Sequence, residues 1–72
     1  MLNKDEIKYI LNYLYQRRSN LNDQIIQIPK DIKILNGLRD SKNVEFCTNA
    51  LNRARTELSV IESIIPKLKR KV

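Results

Sequence analysis

Apolar residues recur along this chain at alternating steps of three and four, the spacing of a helix face that packs on another helix. The pattern occurs twice, and only the first series includes a charged residue, Arg18. The two series are Ile7, Leu11, Leu14, Arg18, Leu21, Ile25 and Ile28, and Val44, Cys47, Leu51, Ala54, Leu58, Ile61, Ile65, Leu68 and Val72. They predict two long amphipathic helices.

Residues that favour a helix end set the limits of the first predicted helix. Asn3 and Glu6 have the spacing of a capping box, in which each side chain accepts a backbone N–H at the start of a helix. At the other end, Ile28 precedes Pro29, and a proline disfavours helical backbone at the residue before it. The first helix is therefore predicted over about 4–27.

The segment between the two apolar series predicts a short middle helix over about 30–36, or a capping segment. Gly37, the only glycine in the chain, is predicted to take the left-handed conformation that ends many helices. The second long helix is predicted over about 42–65. A kink is expected near Pro66, since proline removes a backbone hydrogen bond, and a basic tail follows over 67–72.

The expected fold is one all-α domain over residues 1–72, an antiparallel hairpin in which the two helices bury their apolar faces against each other. A 72-residue domain has a thin core. Because Cys47 is the only cysteine and there is no histidine, neither an internal disulfide nor a zinc site is expected to reinforce it. We therefore expect a homodimer in which two hairpins form a four-helix bundle.

The first half of the first helix has more apolar surface than one neighbouring helix can cover, and the facing part of the last helix also widens. This excess lies at the open end of the hairpin, away from the connection. It defines a candidate partner or dimer interface of Tyr9, Ile10, Tyr13, Tyr15, Val60 and Ile64. Surplus apolar surface on a small protein marks a contact site, most often with a second copy. In the alternative, the middle segment folds over this surface and hides it.

One ionic contact is predicted between the helices. Aligning the two apolar series antiparallel places Arg18 level with Glu57, which can pair with it from the edge of the facing helix. An unpaired charge near a core is costly, so the sequence predicts a structural ion pair between them. In the alternative, Arg17 and Ile10 define the adjacent stripe, and Arg18 leaves the apolar face.

The charge balance is strongly basic, with 14 Lys and Arg against 8 Asp and Glu and a formal net charge of +6. Such a surface favours acidic partners, including nucleic acid, while the interleaved acidic residues also suit a role in solubility alone. Candidate contacts to phosphate or to an acidic partner are Arg17, Arg53, Arg55, Lys67, Lys69, Arg70 and Lys71. Because no helix-turn-helix or zinc-finger spacing is present, nucleic-acid binding by these residues would not depend on base sequence.

Residues that support catalysis are scarce. The chain has no histidine, its cysteine lies on a predicted apolar face, and one glycine cannot form a phosphate-binding loop. We therefore predict no enzyme activity, no cofactor and no metal. No apolar stretch reaches the length of a membrane span and the first residues lack a secretory pattern, which together with the free thiol predicts a cytoplasmic protein.

The predicted function is therefore protein interaction. The chain is expected to act as an adaptor, an assembly factor or an inhibitor of a larger protein or nucleoprotein complex, of the kind that phages and mobile elements encode. Its positive charge indicates a partner with an acidic surface. The alternative function is non-sequence-specific nucleic-acid binding through a basic band.

Overall fold

Two α-helices make up the fold. The structure, a computed structural model, describes residues 1–71, in which α1 spans Lys4–Gly37 and α2 spans Ser41–Lys69. The helices pack against each other as an antiparallel hairpin that is 52 Å long and 14 Å in each of its other dimensions. No strand occurs within the described residues. The all-α helical hairpin expected from the sequence is confirmed.

α1 begins at a capping box, as its sequence predicts. The backbone N–H of Glu6 donates to Asn3 Oδ1 at 2.8 Å, and the backbone N–H of Asn3 donates to Glu6 Oε1 at 3.0 Å. These bonds satisfy two N–H groups that have no partner within the helix. The carboxylates of Asp5 and Glu6 also lie near the positive end of the helix dipole, which stabilises the first turn.

α1 does not end before Pro29. The helix continues through this proline, so the predicted boundary is wrong, and residues 30–36 are helical without being a separate element. Ile28, Ile32 and Leu35 are half-buried and keep the spacing of three and four across the proline. Only a continuous helix holds them on one side. Their packing therefore outweighs the cost of the proline, about 3 kcal/mol in a helix interior.

α2 likewise continues through a proline. The predicted helix over 42–65 is too short, since α2 extends for three residues beyond Pro66. Ile65 is buried and Leu68 is half-buried against the core, so the apolar series again crosses the proline without a change of spacing. The predicted basic tail begins inside this last helical turn, and Val72, its final residue, lies outside the described residues.

The connection between the helices contains a left-handed residue, Arg39, with φ of 58°. Its N–H donates to the carbonyl of Asn36 at 3.1 Å, and the N–H of Asp40 donates to the carbonyl of Leu35 at 3.0 Å. These two bonds form a Schellman motif, which usually has glycine at the left-handed position. Gly37 instead has helical backbone inside α1, so its predicted role as the left-handed residue is wrong.

Moving the glycine to the left-handed position is expected to stabilise the hairpin. Gly37→Ala should raise the free energy of unfolding by about 0.5–1 kcal/mol, because alanine favours helix, and no other side chain lies within 4 Å of the added Cβ. Arg39→Gly should add up to about 1 kcal/mol, because it relieves the left-handed backbone. Urea denaturation followed by circular dichroism measures both. Arg39→Ala, which removes the charge alone, is the control, and a destabilised Gly37→Ala would contradict this turn geometry.

The buried core is concentrated in the half of the hairpin away from the turn. Its most enclosed side chain is that of Leu21, which is 1% exposed. The buried residues are Ile7, Leu11, Leu21, Leu51, Ala54, Ile61 and Ile65. Between positions 22 and 50, the apolar side chains of both helices are at most half-buried. Two helices alone therefore leave the contact near the turn partly open to solvent.

Candidate protein-interaction face

Arg17 and Glu57 join the two helices on one side of the hairpin. Arg17 Nε donates to Glu57 Oε2 at 2.5 Å and Arg17 Nη2 donates to Glu57 Oε1 at 3.0 Å, which makes a bidentate ion pair. Both side chains remain partly exposed. The predicted pair of Arg18 with Glu57 is therefore wrong, and the adjacent stripe of α1 supplies the partner instead.

Arg18 points away from this ion pair and toward Tyr15, since consecutive residues of an α-helix are turned by about 100° from each other. Its guanidinium carbon is 5.2 Å from the centre of the Tyr15 ring, and Lys69 Nζ is 5.5 Å from the same ring. Both distances are typical of cation–π contacts. Tyr15 is also half-buried against the core. This tyrosine, predicted for the open-end interface, thus makes its contacts within its own chain.

The ion pair changes the titration of both partners. The hydrogen bond from Arg17, and then its positive charge, lower the pKa of Glu57 below the ordinary value of 4.5. The hydrogen bond to Glu57, and then its negative charge, raise the pKa of Arg17. Because the folded protein holds Glu57 ionised more firmly than the unfolded chain does, the pair stabilises the fold above the ordinary pKa. This contribution is lost as the pH falls through the lowered pKa.

Glu57→Gln is expected to remove this pH dependence and leave the fold intact. The wild type should be slightly more stable than the variant at neutral pH, since partly exposed pairs contribute little, and the difference should vanish in acid. Thermal unfolding followed by circular dichroism from neutral pH to about pH 2.5 measures the difference. Arg18→Ala is the matched control and should leave it unchanged. The pairing would be contradicted if Arg18→Ala abolished the difference while Arg17→Ala preserved it.

We call the side that carries this ion pair the Arg17–Glu57 face. A shallow groove runs along its middle, lined by Arg17, Leu21, Gln24, Ala50, Arg53, Ala54 and Glu57. Residues seven apart lie on the same side of a helix that packs on another helix. The face therefore extends toward both ends of the hairpin through residues at multiples of seven from those that line the groove.

The open end of the Arg17–Glu57 face is apolar. Ile10 is seven residues before Arg17, and Ile64 is seven residues after Glu57. The open-end cluster consists of Tyr9, Ile10, Tyr13, Val60 and Ile64, all exposed except the half-buried Ile10. Residues 30–36 extend α1 away from this end, so the alternative in which the middle segment hides the cluster is wrong. Within the described residues the cluster faces solvent.

A second apolar cluster lies on the same face near the turn and was not predicted. Phe46 is seven residues before Arg53, and Leu38 is three heptads after Arg17. With Ile34, one helical turn before Leu38, they form the turn-end cluster, in which Leu38 is 72% and Phe46 is 65% exposed. The signal was present in the heptad positions. Because α1 was predicted to end before this segment, its residues could not be assigned to the same side of the helix as Arg17.

The predicted basic band is divided between the two sides of the hairpin. Arg53 lines the groove, whereas Arg55 lies two residues further, about 200° around the helix. The guanidinium of Arg17 is engaged by Glu57. The other candidate contacts, Lys67, Lys69, Arg70 and Lys71, lie together at the end of α2. The predicted phosphate contacts therefore do not converge on one surface.

Chemically reactive groups are sparse in residues 1–71. Cys47 is a free, half-buried thiol, and no three His, Cys, Asp or Glu side chains of this part of the chain are grouped to hold a metal ion. Over the same residues, no helix combines the length and the hydropathy that crossing a bilayer requires.

Comparison with known proteins gives no relative. No protein-family model, no curated protein and no solved structure matches this chain. The Arg17–Glu57 face combines the ion pair between the helices with an exposed apolar cluster toward each end of the hairpin.

Proposed function

We propose that this protein is a non-enzymatic protein-interaction module, acting as an adaptor, an assembly factor or an inhibitor of a larger protein or nucleoprotein complex. The open-end cluster supports this proposal, because Tyr9 is 77% and Tyr13 is 61% exposed beside exposed aliphatic side chains. Tyrosine joins an apolar ring to a polar hydroxyl and is enriched among the residues that dominate interface energies. The free thiol of Cys47 suits a reducing compartment, and we place this function in the cytoplasm.

The module is further proposed to work as a homodimer, in which two hairpins form a four-helix bundle. One hairpin fully buries few apolar side chains, and none between positions 22 and 50. Domains of this size commonly need an additional source of stability. A second hairpin packed alongside would supply it by covering the apolar residues that the first leaves in solvent.

The basic end of α2 supports a partner with an acidic surface. Lys67, Lys69 and the two basic residues that follow form a dense positive group. Nucleic acid is the alternative partner, since its phosphates would bind the same positive side chains. Phosphate binding of this kind would weaken steeply with salt. The separation of Arg53 from Arg55 on the two sides of the hairpin favours a protein over a long phosphate backbone.

Affinity capture from a host lysate, with and without nuclease, distinguishes these partners. We expect a defined protein to be retained after nuclease treatment and to be lost with the double variant Tyr13→Ala and Ile64→Ala, because these residues hold together the dimer that is proposed to bind the partner. Ile26→Ala is the matched control, because this isoleucine is 61% exposed but lies outside the Arg17–Glu57 face. Capture that requires intact nucleic acid, and that disappears on charge reversal at Lys69 and Arg70, would contradict the proposal.

A further inference from the structure

We infer that a second copy of this chain covers the Arg17–Glu57 face in the antiparallel direction, so that the open-end cluster of each copy packs on the turn-end cluster of the other. The inference rests on the homodimer proposed above and specifies its geometry. It also accounts for Ile34, Leu38 and Phe46, whose exposure has no explanation within one chain.

The face has the distribution of residues that such a pairing needs. Polar side chains, among them Gln24 and Arg53, line its middle, and an apolar cluster lies toward each end. Counted from the level of Leu21 and Ala54, the open-end cluster lies 8–12 residues away on α1 and 6–10 on α2, and the turn-end cluster lies 13–17 residues away on α1 and eight on α2. The level midway between the clusters is therefore in the groove, slightly toward the turn from Leu21. A two-fold axis through that level, perpendicular to the hairpin, therefore brings each cluster onto the other in both copies.

The dimensions of the hairpin require a lengthwise contact. A stable interface buries about 800 Å² on each partner. The face is 52 Å long and 14 Å wide, or roughly 700 Å² as a flat strip. Nearly the whole strip is needed to reach the usual area. The open-end cluster covers only one or two turns of each helix and is too small to hold two copies together alone.

The distribution of charge selects the antiparallel direction. Residues 1–12 and 62–71, which form the open end, together contain six basic and three acidic side chains, whereas residues 26–49 around the turn contain four basic and three acidic ones. A parallel pair would place the two more basic ends side by side. An antiparallel pair separates them by nearly the 52 Å length of the hairpin, far beyond the screening length of about 8 Å at physiological salt.

Distances between spin labels test the direction and the dimer separately. Cys47→Ala removes the native thiol, and a nitroxide is then attached at Lys8→Cys near the open end or at Asn52→Cys near the middle. Both positions are exposed and lie outside the face. Double electron–electron resonance on the full chain measures the distance between the two copies. Circular dichroism of each labelled protein verifies that the hairpin is folded.

In the antiparallel dimer the Lys8→Cys labels should be at least about 40 Å apart, because this position lies about 14 residues from the middle and a helix rises about 1.5 Å per residue. The Asn52→Cys labels should stay within about two hairpin widths of 14 Å each. Short distances at both positions would mean a parallel dimer, which overturns the inference and leaves the proposed homodimer standing. No distance between copies at either position would overturn both.

Discussion

Leu21→Ala should leave the protein largely unfolded at temperatures at which the wild type is folded. Leu21 is the most enclosed side chain of the core, at 1% exposed, and packs in one cluster with Ala54. Truncating a buried leucine costs about 2–5 kcal/mol, because transfer energy is lost and a cavity remains. A chain of this length has a total free energy of unfolding of about 4–11 kcal/mol. We therefore expect the melting temperature to fall by about 10–30 °C.

The matched control for this variant is Ile26→Ala, which removes a similar aliphatic side chain from an exposed position of the same helix. It should change the free energy of unfolding by less than about 0.5 kcal/mol, as surface substitutions usually do. Thermal unfolding of both variants at one protein concentration measures the contrast. Equal losses at the two positions would contradict the packing of Leu21 between the helices.

Phe46→Ala should weaken self-association by about two orders of magnitude. In a two-fold dimer each substitution removes the same side chain from two symmetric contacts. A cost of about 1.4 kcal/mol at each contact, within the range for aromatic residues at interfaces, multiplies the dissociation constant by about 100. Phe46 is 65% exposed in one chain, so its loss should have little effect on the hairpin itself. Sedimentation velocity over a range of concentrations gives the dissociation constant.

Two further variants complete this experiment. Ile64→Ala removes a member of the open-end cluster and should also weaken the dimer, because in the antiparallel arrangement it lies near Phe46 of the other copy. Ile26→Ala, at similar exposure but outside the face, should leave the dissociation constant unchanged. If Ile64→Ala weakened the dimer and Phe46→Ala did not, the turn-end cluster would lie outside the interface.

The helices themselves were predictable because the apolar spacing and the capping box are local. Their lengths were not, because the local preference of a proline opposes the packing that carries each helix through it. The steps from Ile28 to Ile32 and on to Leu35 continue the helical spacing across Pro29, and long helices that pack on a neighbour tolerate such a break in hydrogen bonding. The left-handed conformation was assigned to Gly37 for a related reason. The position of the left-handed residue depends on where α1 ends, and that end places it at Arg39.

The candidate face was predictable at one end only. The dense apolar residues around Tyr13 are visible in the sequence without knowledge of the fold. The contribution of Ile34 and Phe46 depends on an uninterrupted α1 and on the side of the hairpin that each helix presents. The prediction of the ion pair was wrong by one residue, since it named Arg18 and the structure has Arg17. A shift of one position along a helix turns the side chain by about 100°. Alignment of two apolar series is not precise enough to resolve that difference.

Sedimentation equilibrium of the wild-type chain tests most directly the claim that a second copy covers the Arg17–Glu57 face. At tens of micromolar and physiological salt, we expect a mass of twice 8.5 kDa, falling toward 8.5 kDa on dilution and shifted toward the monomer by Phe46→Ala. A mass of 8.5 kDa throughout this range, with the helical signal of the folded hairpin intact, would contradict the claim.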